Sequence, residues 1–276
     1  MTGKKTKTLY VSDLDGTLLR SNQKTSEYTN LVINDLVKDG MYFSYATARS
    51  YNTAHKVTEG MTAAFPLIVY NGAFVRDNAN GNLLLKNFFE KDSAHELIQC
   101  LLKNNISPVV YSFVNGEEKF SYNQNTINAA TKDFISTRKG DSRDRPVQND
   151  SELFDGEIFY ATCIDSPKKL KPMFENYAKT FHCVYQRDIY SNEQWLEIMP
   201  KAVSKSSAIK QVKELLGCER LVVFGDGIND VDMFKIADES YAVENAVPEL
   251  IDVATGVIES NDADGVAKWL YKNART

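Results

Sequence analysis

The feature that most constrains the fold is an alternation of short apolar runs with amphipathic segments at both ends of the chain. The runs "TLYVSD" (8–13), "MYFSYAT" (41–47) and "PLIVYNG" (66–72) are strand-like, and helical patterns separate them. "RLVVFGDG" (220–227) continues the pattern near the other end, and two further short strands follow it. Strands that alternate with helices predict a parallel sheet with right-handed crossovers. We therefore predict an α/β fold with a Rossmann-like parallel sheet.

The segment "SEYTNLVINDLVKDG" illustrates the predicted helices of this sheet. Ser26 or Thr25 suits the N-cap position, and Gly40 suits the position just beyond the last turn. Apolar residues recur at helical spacing and predict one buried face, formed by Tyr28, Val32, Ile33, Leu36 and Val37.

The middle of the chain has a different pattern and predicts a second domain. Its apolar runs are longer and alternate more, and Asn115-Gly116 between two of them is typical of a β-hairpin. Two helical segments and a second hairpin, in 179–200, complete an α+β insert. We place the insert at residues 82–198, which leaves 1–81 and 199–276 for the α/β domain. The very polar stretch 138–152 predicts a mobile loop within the insert.

Composition excludes several classes of protein. The 276-residue chain has a formal net charge of −5, whereas nucleic-acid binding calls for a basic stripe. No window approaches the roughly 18 apolar residues of a membrane span, and the first apolar run is too short for a signal peptide. The cysteines are scattered, which is typical of thiols in a reducing compartment. We expect a cytoplasmic protein that binds neither nucleic acid nor membrane.

Two carboxylates end the first predicted strand in "YVSDLDGTLL". Asp13 and Asp15 are spaced so that both point the same way on an extended segment, at the sheet edge where α/β proteins place ligands. Such a pair can bind a hard divalent cation, or can divide nucleophilic and acid–base roles. Gly16 would let the backbone approach an anion closely. An Asp-rich turn without chemistry would use the same residues.

"FGDGIND" (224–230) places more acids at the end of another predicted strand. Asp226 lies at the strand end and Asp230 in the first turn of the next helix, with the amide of Asn229 beside it. Together with the first pair, these carboxylates would make a Mg²⁺ site, although a helix start also favours acids for its dipole alone.

Two further residues are weaker candidates when taken singly. Thr47 lies at the end of the second predicted strand and could offer a hydroxyl at the same sheet edge, but threonine is also common in strands. Lys205 precedes a predicted helix, where a cation is mildly unfavourable unless an anion lies nearby. A solvated lysine would be equally ordinary at that position.

Taken in order, these motifs resemble those of the haloacid dehalogenase superfamily of phosphotransferases. "DLDGTLL", "YATAR", Lys205 and "GDGIND" are similar to its four motifs. The form of the fourth motif, and an α+β insert between the second and third, resemble the Cof-type hydrolases with a class IIB cap. The resemblance implies that the α/β domain is the catalytic core and that the insert is a substrate-specificity cap.

The resemblance also implies roles for the acidic residues. Asp13 would be the nucleophile that forms an aspartyl-phosphate, and Asp15 would protonate the leaving oxygen and later activate water. Mg²⁺ would be bound by the Asp13 carboxylate, the Asp15 backbone carbonyl and the Asp226 carboxylate. Asp230 would act on the metal directly or through water.

The remaining motif residues are implied to bind phosphate. Thr47 and Lys205 would hold the phosphoryl oxygens, and Asn229 would bind the phosphate or orient Lys205. The family often has glycine between the threonine and arginine of its second motif, where this chain has Ala48. A methyl group then faces the approaching phosphate, and we expect it to be tolerated.

The expected function is a Mg²⁺-dependent phosphatase of small phosphorylated metabolites, such as sugar phosphates, nucleotides or phosphorylated cofactors. A phosphomutase would share the core residues, and a phosphometabolite-binding protein could use the same fold. The sequence predicts a small phosphate monoester as the binding partner, but it identifies neither the particular substrate nor the oligomeric state.

Overall fold

The structure, a computed structural model, describes residues 6–187 and 193–274. Within these ranges there are fourteen strands and nine α-helices. The strands are β1 (Thr8–Asp13), β2 (Tyr42–Ala46), β3 (Pro66–Val69), β4 (Phe74–Asp77), β5 (Leu83–Lys86), β6 (Val109–Val114), β7 (Glu117–Asn123), β8 (Asp144–Val147), β9 (Glu157–Ile164), β10 (His182–Arg187), β11 (Gln194–Met199), β12 (Arg220–Gly225), β13 (Glu239–Val243) and β14 (Gly256–Ile258). The helices are α1 (Glu27–Lys38), α2 (Tyr51–Val57), α3 (Lys91–Lys103), α4 (Ala129–Ser136), α5 (Pro167–Tyr177), α6 (Lys205–Leu215), α7 (Val231–Phe234), α8 (Pro248–Ile251) and α9 (Gly265–Asn273).

One compact unit combines the residues up to Lys86 with those from Ser204 onward. Its sheet has the strand order β14-β13-β12-β1-β2-β3-β4-β5. The strands from β14 to β3 are parallel, which confirms the predicted α/β fold. β4 and β5 add an antiparallel edge that the sequence did not predict. β3 runs directly into a tight turn with left-handed φ at Tyr70 and Asn71, so the chain reverses without a crossover helix.

The central strand β1 lies between β12 and β2, and the register brings their carboxyl ends together. Ser12 pairs with Phe224 on one side and with Tyr45 on the other, and Asp13 pairs with Ala46. Leu9 and Val11 of β1 are fully buried, as expected of a strand covered on both faces. Residues that follow these three strands therefore meet at one edge of the sheet.

α1 has the predicted ends but a partly different buried face. Ser26 is its N-cap and accepts a hydrogen bond from the Thr29 backbone N–H, and the helix stops two residues before Gly40. Tyr28, predicted to be buried, is 41% exposed, whereas Thr29 and Asn30 are buried. Both polar residues have hydrogen-bond partners outside the helix, namely Asp264 and the carbonyl of Glu59. Apolar spacing alone cannot reveal such distant partners.

The second compact unit, Asn87–Val203, is an α+β unit with its own six-stranded sheet. The strand order is β10-β11-β9-β6-β7-β8, and the predicted hairpins are β6–β7 and β10–β11. The residues that join β10 to β11, 188–192, lie outside the described residues. α3 and α5 bury Leu97, Leu101 and Leu170 in one apolar core with Val110 and Leu196 of the sheet.

The expected insert, 82–198, begins and ends a few residues before this compact unit. β5 pairs with β4 and so extends the first sheet, which keeps the chain in the first unit as far as Lys86. At the other end β11 runs to Met199, beyond the expected boundary.

The sequence predicted a loop at 138–152, but the structure has a short strand and the start of a 3₁₀ turn within this stretch. β8 pairs in parallel with β7, and a 3₁₀ turn spans Asp150–Phe154. Arg143, a buried residue, donates to Asp141 and Glu118 at 2.6 and 2.9 Å. Charge-assisted hydrogen bonds of this kind fix a segment whose composition is typical of a loop.

The helices of the described ranges are short. α3 has 13 residues, and no helix in 6–187 or 193–274 is both long and apolar enough to cross a membrane.

Asp264 connects the two ends of the first unit. Its carboxylate accepts hydrogen bonds from Ser26 Oγ at 2.8 Å, Thr29 Oγ1 at 3.2 Å and Arg20 Nε at 3.0 Å. The side chain is 7% exposed, and its backbone is left-handed with φ of 58°. One buried acceptor thus holds the start of α1 against the segment that precedes α9.

We expect Asp264→Ala to lower the free energy of unfolding by about 3 kcal/mol, because donors on three residues lose a charged acceptor. Urea unfolding followed by circular dichroism measures this loss. Asp262→Ala is the matched control, since Asp262 lies on the same turn, is exposed and accepts side-chain hydrogen bonds, within 6–187 and 193–274, only from Ser21. Equal losses in the two variants would contradict the assigned role of Asp264.

Candidate active site

Polar residues follow three adjacent parallel strands and meet at one edge of the first sheet. Asp13 ends β1, Thr47 follows β2, and Asp226 follows β12. Because the register brings these strand ends level, residues more than 200 positions apart become neighbours. The structure thereby brings together Asp13 of the first predicted motif and Asp226 and Asp230 of the fourth.

A buried lysine joins two of these acids. Lys205 Nζ donates to Asp13 Oδ1 and, at 2.8 Å, to Asp230 Oδ1. The side chain of Lys205 is 5% exposed and that of Asp230 is fully buried. Lys205 is therefore no solvated surface lysine, and two anions offset its position at the start of α6.

The start of α6 is fixed from two sides. Ser204 is the N-cap, and its hydroxyl accepts a hydrogen bond from the Ser207 backbone N–H at 3.0 Å. Gly72, in the turn after β3, approaches so closely that a Cβ there would lie 2.3 Å from the Ser204 carbonyl oxygen. The first residue of the helix, Lys205, is thus held at a fixed distance from the sheet.

Burial and mutual repulsion perturb the acids of this cluster. Burial, together with the charge of Asp230, raises the pKa of Asp13 well above its ordinary range. The same two causes raise the pKa of Asp226 to about 6. Burial opposes the charge of Lys205, but Asp13 and Asp230 outweigh it and raise the pKa of Lys205. One lysine therefore does not neutralise the negative charge of the three acids.

The same acids have the arrangement of a cation site. Carboxylate oxygens of Asp13, Asp226 and Asp230 lie within 4.8 Å of one another. Three carboxylates and one ammonium leave two negative charges in excess, which suits a hard divalent cation.

The hydrogen bonds separate these three acids into two kinds. Asp13 Oδ2 and Asp226 Oδ2 accept no hydrogen bond from any residue in the described ranges. Asp230 Oδ2 instead accepts from the backbone N–H groups of Asp226 and Gly227, both at 3.1 Å. Open ligand atoms therefore come from Asp13 and Asp226, whereas both oxygens of Asp230 are engaged in holding the site together.

Gly16 and Thr17 position Asp226. Thr17 Oγ1 donates to Asp226 Oδ1 at 2.7 Å, and Asn245 Nδ2 donates to the Gly16 carbonyl at 2.8 Å. Gly16 has φ of +80°, and a Cβ on it would lie 2.3 Å from Asp226 Oδ2. The anion that the Gly16 backbone approaches is therefore a carboxylate of the protein itself.

Asp15 lies outside the carboxylate cluster and has its own cation. Arg49 donates to both of its oxygens, from Nε at 2.8 Å and from Nη2 at 2.6 Å. Arg49 stands in "YATAR" but was not predicted as a site residue. A basic residue two positions after Thr47, at the carboxyl edge of the sheet, was the available signal.

The candidate phosphate ligands differ in how they are held. Thr47 is buried, and its hydroxyl oxygen accepts from the Arg49 backbone N–H at 3.1 Å. The Thr47 O–H donates to no residue in 6–187 or 193–274, so it can donate to an anion at the sheet edge. Ala48 is half-buried between these two residues. Asn229 is exposed in the 3₁₀ turn Ile228–Asp230, with no hydrogen bond from its side chain to the described part of the chain.

Comparison with known proteins gives matches over nearly the whole chain. Residues 10–270 match the sequence profile of the haloacid dehalogenase-like hydrolases. The Bacillus subtilis 5-amino-6-(5-phospho-D-ribitylamino)uracil phosphatase YitU is 24% identical, with 95% of this chain and 96% of its own covered. A second Bacillus subtilis phosphatase of that name, YwtE, is 26% identical, with 94% and 95% covered. The solved structure of a haloacid dehalogenase-like hydrolase from B. subtilis has a TM-score of 0.77 at 22% identity, with 96% and 99% covered, and so shares the fold.

We expect Gly16→Ala to displace the Asp226 carboxylate, because the new methyl group and Asp226 Oδ2 cannot occupy the same space. The matched control is Gly40→Ala, at φ of +99° with no atom within 4 Å of the added Cβ. Both variants lose about 1–2 kcal/mol for the left-handed backbone. Gly16→Ala should lose at least about 1 kcal/mol more in urea unfolding, from overpacking. Its melting temperature should also rise less than that of Gly40→Ala when MgCl₂ is added. Identical behaviour of the two variants would contradict the close approach.

Proposed function

The chain belongs to the haloacid dehalogenase-like hydrolases and is a phosphatase, and we propose that it hydrolyses phosphate monoesters of small metabolites with Mg²⁺ through an aspartyl-phosphate. The observation that supports this most directly is the state of Asp13. One of its oxygens is held by Lys205, the other accepts no hydrogen bond from the described residues, and the carboxylate belongs to the candidate cation site.

Asp13 is the proposed nucleophile. One oxygen of its carboxylate attacks the phosphorus, the P–O bond to the leaving group breaks, and an aspartyl-phosphate forms. Lys205 and the Thr47 hydroxyl offset the negative charge on the phosphoryl oxygens, and both are positioned before substrate arrives. Asn229 and the backbone at Ala48 complete the proposed phosphate-binding set.

The residues present fit a magnesium ion. We assign the Asp13 and Asp226 carboxylates as its direct protein ligands, together with the backbone carbonyl of Asp15. Asp230 acts through water or by holding Lys205, in keeping with its two engaged oxygens. When bound, the cation reduces the repulsion between the substrate phosphate and the acidic cluster.

Asp15 is the proposed general acid and base. Its carboxyl group gives a proton to the leaving oxygen as the first P–O bond breaks. The resulting carboxylate then takes a proton from the water that attacks the aspartyl-phosphate, which releases inorganic phosphate and restores Asp13. Both residues of the Asp-x-Asp pair therefore take part, in different steps.

The insert, expected at 82–198 and compact over Asn87–Val203, is proposed to act as a substrate-specificity cap. Sugar phosphates, nucleotides and phosphorylated cofactors are the substrate classes to test. 5-Amino-6-(5-phospho-D-ribitylamino)uracil belongs in that panel, because two relatives are named for it. Such substrates and the scattered cysteines favour a cytoplasmic location, which is part of the proposal.

We expect the protein to release p-nitrophenol from p-nitrophenyl phosphate with Mg²⁺, and release to stop when EDTA removes the metal. Asp13→Asn should lower the rate by at least about 10³-fold, because an amide is a poor nucleophile in place of the carboxylate. Asp232→Asn is the control, since that acid is exposed and its one ion pair among the described residues is with Lys235. Release that survives both EDTA and Asp13→Asn would refute the proposed mechanism.

We expect Mg²⁺ affinity to fall as the pH is lowered, because the cation competes with a proton on Asp226, whose pKa is about 6 in the cation-free protein. Between pH 7 and pH 5 the deprotonated fraction falls about tenfold, and the raised pKa of Asp13 adds to the loss. Isothermal titration calorimetry at a series of pH values measures this change. Affinity that stays constant over this range would contradict Asp226 as a ligand.

A further inference from the structure

The guanidinium of Arg49 forms two hydrogen bonds with the Asp15 carboxylate, and together they fix the plane of the carboxylate. Nε bonds to Oδ2 at 2.8 Å and Nη2 to Oδ1 at 2.6 Å, so both oxygens of Asp15 accept from one guanidinium. A bidentate pair of this kind sets orientation as well as charge, which a lysine could not do. The two side chains keep 21% and 26% of their surface exposed, so solvent reaches the pair.

The backbone of Arg49 is held on both sides of the residue. Its N–H donates to Thr47 Oγ1 at 3.1 Å, and its carbonyl accepts from the Tyr70 N–H at 2.9 Å. The next residue, Ser50, is the N-cap of α2. The guanidinium is therefore presented to Asp15 from a short segment that is fixed to both β2 and the turn after β3.

The two acids of the Asp-x-Asp pair have different cations. Asp13 bonds to Lys205 inside the buried cluster, and Asp15 bonds to Arg49 outside it. Arg49 therefore does not duplicate the role of Lys205. It pairs with Asp15, the proposed general acid and base.

We propose that Arg49 is the positioning residue for Asp15, an inference that rests on the proposed function. In the pair described here both oxygens of Asp15 act as acceptors, which is the form that takes a proton from water. In the first step Asp15 carries a proton on one oxygen, and that oxygen gives up its bond to Arg49. Arg49 therefore supports hydrolysis of the aspartyl-phosphate more strongly than its formation.

The test uses p-nitrophenyl phosphate, whose leaving group departs with little help from an acid. In Arg49→Met the aspartyl-phosphate should form rapidly and break down about 10²-fold more slowly, because a displaced base loses alignment with water. Rapid mixing should then show a burst of p-nitrophenol of about one equivalent, followed by slow release. Arg49→Lys, which keeps the charge without the two parallel bonds, should also show a burst and an intermediate slow rate.

Arg220→Met is the matched control. Arg220 is also ion-paired, with Glu239, but at the opposite end of β12. In Arg220→Met the steady rate of p-nitrophenol release should equal that of the wild-type protein.

A double-mutant cycle shows whether Arg49 acts through Asp15. If it does, Arg49→Met should have almost no further effect in protein that already carries Asp15→Asn. Independent effects of the two substitutions, or a burst slowed as much as the later turnover, would overturn the inference and assign Arg49 to substrate binding. An Arg49→Met protein with wild-type kinetics would overturn it as well. Failure of the proposed function is distinct, since wild-type protein would then be inactive or insensitive to Asp13→Asn.

Discussion

The contact of Lys205 with Asp13 and Asp230 is the interaction on which the rest of the site depends. Two buried carboxylates without a cation would repel each other and take up protons, and neither could then act as a nucleophile or hold the site in place. The position of the ammonium is in turn set by the Ser204 cap and by the close approach of Gly72. The backbone geometry at Gly72 thus affects the charge of Asp13, a residue far away in sequence.

The topology explains why the site needs so few specialised elements. β1 is central and contributes its last residue, Asp13, and β2 and β12 flank it in parallel and contribute the residues that directly follow them, Thr47 and Asp226. The two cations arrive from the segments after β2 and before α6, one for each acid of the Asp-x-Asp pair. A single sheet edge therefore holds two charge systems, one buried and suited to a cation, and the other partly exposed and suited to proton transfer.

The parallel sheet, the helix caps and the acidic strand ends could be predicted from local pattern, because their signals lie within a few residues of one another. Partners that are distant in sequence could not. The Asn71-Gly72 dipeptide indicated a turn after β3, but it did not indicate that β4 and β5 pair antiparallel beyond that turn. The burial of Thr29 depends on Asp264, and the order in 138–152 on ion pairs of Arg143. At the site, the motifs indicated which residues would meet, but the pairing of Arg49 with Asp15 could be recognised only from the folded structure.

The way the chain enters and leaves the second unit has an evolutionary consequence. It leaves after β5, an edge strand of the first sheet, and returns at Ser204, directly before the lysine of the site. The register of the first sheet and the contacts of Lys205 described here are all specified by residues outside Asn87–Val203. Substitutions within Asn87–Val203 can therefore accumulate without changing any residue that makes these contacts. If the insert selects the substrate as proposed, substrate preference can change while the residues that carry the reaction stay the same.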